Sequence, residues 1–473
     1  MIKRITKKWN SMSLVAKASV ALIIANFFQK GLSMITGPIF TRIMPIEEYG
    51  IISTFLSWQN VLFIIATLNM SQGVFNNGML DFKEDRDVFC FSIQCLANLC
   101  TLLFLIIFLL FHNFFLKVID MNIYLILLML LYFIFVPAYN FWIARQRYEF
   151  KYKFSTSMMI TTSLLSTIFA IIFVLIVPDN IKANARLTAT EGVMIVFGII
   201  LYIYTMLRAK CKINFQYWKY ALKYNLPLIP HYLSMYILAS SDRIMITKMV
   251  GTAETAIYNV SYTVASILLI FWNSMEASYA PWIYEKMEKK DYNSIKKRGN
   301  QILLIFASLM LISTLFAPEI IRILAPSNYY SGVYIIPSVA GGVFFTALYS
   351  LYIRIELYFK KTKYIMVASL IGAGLNIILN LVFIPKFGMY AAGYTTFICY
   401  IVLAVTHYII LKNIKYNHVY NNRRIFVLSL IIILCTIIVS LIYPYNFLRY
   451  LLILIMIFLI IHKKEEVIRI IKK

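Results

Sequence analysis

Acidic residues are scarce in this chain, 20 Asp and Glu among 473 residues, and charged residues of either sign make up only 14%. A soluble domain carries about a quarter of its residues as charges, so that class is excluded. In place of charge stand 61% hydrophobic residues and a mean hydropathy of +0.77, which place the chain in lipid. Runs such as Thr101 to Phe111 and Arg423 to Tyr443 approach or exceed the ~18 to 20 apolar residues that cross a bilayer as a helix. They do not alternate polar with apolar residues, which excludes a strand barrel.

Cysteine is also sparse, with six in all. Cys90, Cys95 and Cys100 lie five apart on a predicted helix, so successive side chains rotate by roughly 140° and cannot converge on one metal. His112, His407, His418 and His462 show neither triad nor ligand spacing. No catalytic pair or phosphate-cradling glycine loop stands out, and the Gly341-Gly342 pair suits close helix packing instead. No enzyme activity, resident metal or cofactor is expected.

Basic residues are plentiful, 45 Lys and Arg for a formal charge of +25. The chain is predicted to be all-α and polytopic, with about fourteen transmembrane helices near 14–40, 50–70, 88–111, 122–144, 155–177, 188–207, 221–248, 254–281, 300–317, 332–353, 364–384, 389–411, 424–443 and 445–462. Sorted by connection, 34 of the 45 basic residues fall at the two termini and the even-numbered connections. Such one-sided charge marks the cytoplasmic face, so both termini are expected in the cytoplasm. Topology and anionic headgroups account for the charge, and nucleic acid is not expected as a partner. The amino-terminal stretch looks like a signal peptide, but no small-residue cleavage site closes it, and it reads as an uncleaved first span. The basic stretch Tyr284 to Gly299 reads as a solvated loop in preference to a surface helix touching lipid headgroups or biosynthetic partners.

Phe40 to Ile51, FTRIMPIEEYGI, returns as Ile246 to Ile257, ITKMVGTAETAI, at an offset of 206. Arg147 to Lys153, RYEFKYK, lies over Arg354 to Lys360, RIELYFK, at 207, and Val177-Pro178 lies over Ile384-Pro385. Three near-constant offsets indicate a duplicated unit of six helices. Because six is even, the copies run the same way across the membrane. This gives an N-lobe over 1–210, a C-lobe over 211–414 and two further helices with a tail over 415–473, the lobes enclosing a central cavity.

Polar residues within spans mark helix contacts or water. On the first span Asn26, Lys30, Ser33 and Gly37 follow steps of four, three and four. The seventh carries His231, Asp242 and Arg243, and the eighth carries Asn259, Tyr262, Asn273 and Glu276. A lysine at the depth of Lys30 costs about 2.5 to 3.5 kcal/mol if it faces lipid, so it needs water, a partner or an anion. Asp242 and Glu276 are candidates for ion coupling or charge pairing. No Asp or Glu is expected deep in any helix of the first lobe.

TRIMPIEEYGI, the segment from Leu222 to Tyr262 (LKYNLPLIPHYLSMYILASSDRIMITKMVGTAETAIYNVSY) and that from Leu375 to Val402 (LNIILNLVFIPKFGMYAAGYTTFICYIV) resemble the polysaccharide-transport branch of the multidrug/oligosaccharidyl-lipid/polysaccharide exporter superfamily. Its members include Wzx-type O-antigen and capsule flippases. The resemblance implies a multi-pass protein of the bacterial cytoplasmic membrane that carries undecaprenyl-diphosphate-linked oligosaccharide from the inner to the outer leaflet. It also implies H⁺ or Na⁺ as a possible coupling ion and a polysaccharide polymerase as a possible partner. Lys30 and Arg243 are the candidates for the diphosphate, with Asn26, His231, Asn259, Tyr262 and Asn273 lining the same cavity. The alternatives are a lipid II flippase, a drug exporter of the same superfamily or, against the short outer connections, a membrane glycan polymerase.

Overall fold

A computed structural model describes residues 14–462, and all regular structure among them is helical. It divides into two compact units, Met1–Leu233 and Ser234–Lys473. The first contains α1 (Leu14–Ile43), α2 (Ile46–Thr67), a short α3 (Val74–Asp81), α4 (Arg86–Leu110), an eight-residue α5 (His112–Ile119), α6 (Ile123–Tyr148), α7 (Tyr152–Ile176), α8 (Lys182–Arg208) and α9 (Phe215–Asn225). The division falls within α10 (Ile229–Met249). Beyond it come α11 (Thr252–Glu288), α12 (Tyr292–Leu315), an eight-residue α13 (Ala317–Leu324), α14 (Ile336–Tyr358), α15 (Thr362–Phe387), α16 (Met389–Asn413), α17 (Asn422–Ile442) and α18 (Asn446–His462).

Each of the fourteen predicted positions holds a helix. Twelve are long and apolar enough to cross a membrane. α10 is outside that set because Ser240, Ser241, Asp242 and Arg243 interrupt its apolar run, and the apolar part of α18 is shorter. The duplication reappears in the order of elements. α4 and α12 begin at 86 and 292, 206 apart, and each leads into an eight-residue helix beginning at 112 or 317, 205 apart.

Prolines and glycines set the breaks. Pro45 precedes α2, whose first turn carries Glu47 and Glu48, where carboxylates favour the positive end of the helix dipole. Gly388, at φ 65°, turns α15 into α16 in a conformation that costs side-chain-bearing residues energy. The basic stretch 284–299 is not a loop. α11 runs through it to Glu288, and Asp291 caps α12 by accepting from the Ser294 N–H at 3.2 Å. Bonds from Lys286 and Ser294 hold the Asp291 carboxyl down at about 2.

Within each unit the even-numbered connections meet at one end and the odd-numbered at the other. In the first, Arg145 pairs with Asp87 and Glu149, and Arg208 reaches Asp87 at 3.1 Å. At the opposite end Lys182 donates to the Ile43 carbonyl at 2.6 Å and the Ala183 N–H donates to Glu48 at 2.6 Å. The segment 215–225 packs on this unit: Tyr217 donates to Asp85 at 2.7 Å, Trp218 to the Ser92 carbonyl at 2.7 Å and Tyr220 to Asp81 at 2.6 Å.

α14 is the core helix of the second unit, buried along most of its length. A Cβ on Gly341 would meet Phe397 at 2.7 Å and Thr436 at 2.8 Å, so the glycine pair lets α14 approach α16 and α17. α18 is fastened by Arg449, 1% exposed, which grips Glu319 of α13 and donates to the Leu315 carbonyl at 3.0 Å. Tyr450 adds a bond to Glu319 at 2.7 Å.

Candidate functional site

On α1 the buried face, with Ala25 fully covered, packs against α7, and Gln29 Nε2 donates to the Met159 carbonyl at 3.1 Å. The exposed remainder divides by chemistry. Ile23, Ile24 and Phe27 form an apolar arc, whereas Asn26, Lys30 and Ser33 are exposed together on another. At about 100° per residue these three and Gly37 span roughly 60°. Lys30 forms no ion pair among the described residues. An arc of that composition suits water or an anion, while its apolar neighbour suits acyl chains.

Asp242 and Arg243, adjacent on α10, point about 100° apart and do different things. Arg243 faces α11. Its Nε donates to Asn259 Oδ1 at 2.7 Å, its Nη1 to the Ala239 carbonyl at 2.8 Å, and its guanidinium lies 4.4 Å from the Tyr262 ring centroid. Arg243, Asn259 and Tyr262 are thus brought together, all half-buried. An arginine held by two of its five donors, over an aromatic face, keeps the rest of its fork for a phosphate or carboxylate.

Asp242 points the other way, into α15 and α16, and is fully buried. It accepts from Tyr258 Oη at 2.5 Å, Thr396 Oγ1 at 2.7 Å, Asn380 Nδ2 at 2.7 Å and, more weakly, Asn376 Nδ2 at 3.4 Å. Ser241 donates to Asn376 Oδ1 at 2.9 Å and Thr395 donates to Asn380 Oδ1. A buried carboxylate costs several kcal/mol unless it is paired. Four neutral donors, with no cation among them, offset that cost here and surround the carboxyl group with amide N–H and hydroxyl groups.

Asn273 and Glu276 lie farther along α11, Glu276 about 21 Å beyond Tyr262 at 1.5 Å per residue. Asn273 is exposed. Glu276 Oε1 accepts from both Nε and Nη2 of Arg354, at 2.9 and 2.7 Å, which makes it a charge partner. His231, near the start of α10, is half-buried and its Nδ1 has no hydrogen-bond partner.

Two features escaped the sequence reading. Tyr258, Asn376, Asn380, Thr395 and Thr396 complete the Asp242 shell. The signal for four of them was present in LNIILN and GYTT, polar residues at helical spacing in apolar spans. The second is Glu191, which corrects the expectation that the first lobe holds no deep acid. α8 starts at Lys182 rather than near 188, so Glu191 lies well inside the helix, 6% exposed, accepting from Gln59 Nε2 of α2 at 3.0 Å. Near a helix end it reads as interfacial; two turns farther in, it is core.

Repeated helix order and twelve helices long and apolar enough to cross a membrane define an all-helical, multi-span membrane protein. The chain is similar to a structure titled lipid II flippase MurJ in an inward closed conformation, at TM-score 0.68 and 16% identity, covering 94% of this chain and 99% of that one. It is also similar to an inward-facing multidrug resistance MATE family transporter of the MOP superfamily, at TM-score 0.59 and 13% identity, covering 84% and 98%. An uncharacterized membrane protein of Methanocaldococcus jannaschii is 26% identical over 289 residues, 58% of this chain; the chain spans 57% of that relative's length. The profile of the family described as MatE matches residues 227–382. That of the polysaccharide biosynthesis protein family matches residues 15–287, more than half of the chain. The chain belongs to the polysaccharide biosynthesis protein family.

Proposed function

We propose that this protein is a flippase that moves an undecaprenyl-diphosphate-linked oligosaccharide from the inner to the outer leaflet of a bacterial cytoplasmic membrane, for O-antigen, capsule or exopolysaccharide assembly. The observation that carries the reading is the polysaccharide biosynthesis family match over 15–287. The chemistry of the cations supports it. Lys30 on α1 and Arg243 on α10 each offer positive charge to a diphosphate. A groove of about 900 Å³ between α12 and α17 has Lys296, Lys297, Arg423 and Arg424 beside Leu304, Val427 and Ile431, which matches a phosphorylated lipid with its head among the cations and its tail on the apolar wall.

The protein acts without covalent chemistry, exposing its binding groups alternately to the two sides. We place ion coupling at Asp242, since Glu276 is tied to Arg354. Outward movement of an anion runs with an inside-negative potential, worth about 2.3 kcal/mol per charge per 100 mV. In liposomes holding undecaprenyl-diphosphate disaccharide, collapsing an imposed 100 mV potential should slow outward transfer at least roughly tenfold. Full directional transfer at zero potential contradicts the potential-driven step.

Glu191 favours a second reading, export of an organic cation, because a buried acid in the first unit could hold such a ligand. Deleting the gene and measuring cationic-dye efflux separates the two: lost efflux with normal surface polysaccharide supports the exporter.

A further inference from the structure

The duplication exposes a difference between the two units. At the offset of 207, Glu149 at the end of α6 lies over Glu356 in the last turn of α14. In the first unit two permanent cations hold Glu149, Arg145 at 2.6 Å and Lys151 at 2.6 Å. The residues that lie over those cations in the second unit are Tyr352 and Tyr358, so neither cation is kept. Glu356 is instead fully buried, 0% exposed, against His407 of α16, 1% exposed, with Oε1 2.8 Å from the histidine Nδ1. Its other oxygen, Oε2, is buried with no hydrogen-bond partner among the described residues.

Counting charge decides what this pair holds. At 2.8 Å one hydrogen lies between Nδ1 and Oε1. If the imidazole carries no second one, the site has a net charge of −1, and an uncompensated buried charge is strongly unfavourable. With one more proton the site is neutral. The charged residues that neighbouring helices bring to this end make no ion pair with Glu356 among the described residues: Arg298 of α12, Lys361 and Lys363 at the start of α15, Lys412 of α16 and Arg423 at the start of α17. On α11, Glu276 is bonded to Arg354. The other titratable side chains are tyrosines, Tyr349 and Tyr352 on α14 and Tyr400 and Tyr408 on α16. Tyr349 stacks on His407 with ring centroids 5.6 Å apart and planes 19° from parallel, and an aromatic face favours a cation.

We propose that Glu356 and His407 form a proton-operated latch: the ends of α14 and α16 at the even-numbered connections stay packed while the pair holds its proton, and open to water when it is lost. The released proton passes to water and leaves a neutral histidine beside a hydrated carboxylate. A histidine in water loses its proton as pH rises through about 6.5, whereas the packed pair keeps it. The packed state is therefore favoured below that pH and gives way above it. The latch is separate from Asp242 and depends on no particular substrate.

The test is hydrogen–deuterium exchange of the full-length protein in detergent at about pH 6 and 8, with each amide's rate divided by its intrinsic rate at that pH. Protection of 353–358 and 404–410 should fall at least about tenfold from the lower pH to the higher. Protection of 146–151, where Glu149 keeps its permanent cations, should hold level. Glu356→Gln, which keeps the shape and removes the charge, should show no such fall. Glu356→Gln combined with His407→Gln makes the same comparison if the single variant does not fold. Wild-type protein whose two segments keep their protection at the higher pH, or lose it together with 146–151, overturns the latch. So does a folded variant that shows the wild-type fall.

Discussion

Arg243→Ala lowers transfer of undecaprenyl-diphosphate oligosaccharide about a hundredfold while the helices stay folded. The expectation follows from how the side chain is held. Asn259 and the Ala239 carbonyl take two of its donors and Tyr262 supports its plane, which orders the guanidinium before any ligand arrives. Charge-assisted bonds contribute about 1.5 to 3 kcal/mol each, so losing two from a phosphate, taken at the lower end of that range, gives roughly that factor. Arg243→Lys, which keeps the charge but not the fork, should recover only part of the rate. Asn259→Ala should reproduce a smaller loss, because it frees the guanidinium without removing it. Thermal unfolding in detergent is the control. A rate near wild type in folded Arg243→Ala protein removes Arg243 from the phosphate site.

Asp242→Asn has the other large effect, on coupling and on stability together. The carboxylate accepts from four side chains within a fully buried shell. An amide replaces one acceptor with a donor, which then faces either the Asn376 and Asn380 amides on the Oδ1 side or the Thr396 and Tyr258 hydroxyls on the Oδ2 side. The mismatch should cost about 2 kcal/mol. The coupling readout is separate. Wild-type transfer should respond to an imposed Na⁺ or H⁺ gradient, and the variant should transfer at one rate whatever the gradient. Asn380→Ala should weaken the response without abolishing it, since it removes one donor to the carboxylate and keeps the carboxyl group. An Asp242→Asn protein that tracks the gradient like wild type moves coupling elsewhere, with Glu191 the next buried carboxylate to test.

The positions of the spans were legible because apolar length and turn residues are local properties. The repeat was legible too: the offset first seen in FTRIMPIEEYGI and ITKMVGTAETAI is the offset between the starts of α4 and α12. Arg243 with Asn259 and Tyr262 could be anticipated from stripes on consecutive helices. The Asp242 shell could not, because Asn376 and Thr396 lie 134 and 154 residues away along the chain. No periodicity within one helix reports which neighbour it faces. Glu191 was misjudged through a helix boundary six residues late, a small error in sequence that moves a carboxylate from interface to core. Charge dominates the composition of 284–299 and favours a loop, whereas α11 runs into it as far as Glu288 and the Asp291 cap starts α12 at Tyr292.

The central claim is that the protein carries a lipid-linked glycan across the membrane. It is tested most directly by deleting the gene in its host, extracting undecaprenyl-linked oligosaccharide and probing its leaflet with an impermeant glycan-modifying enzyme. The account predicts accumulation confined to the inner leaflet, relieved by the wild-type gene and not by Arg243→Ala or Lys30→Ala at equal abundance. Accumulation on the outer leaflet, or no accumulation, would contradict it.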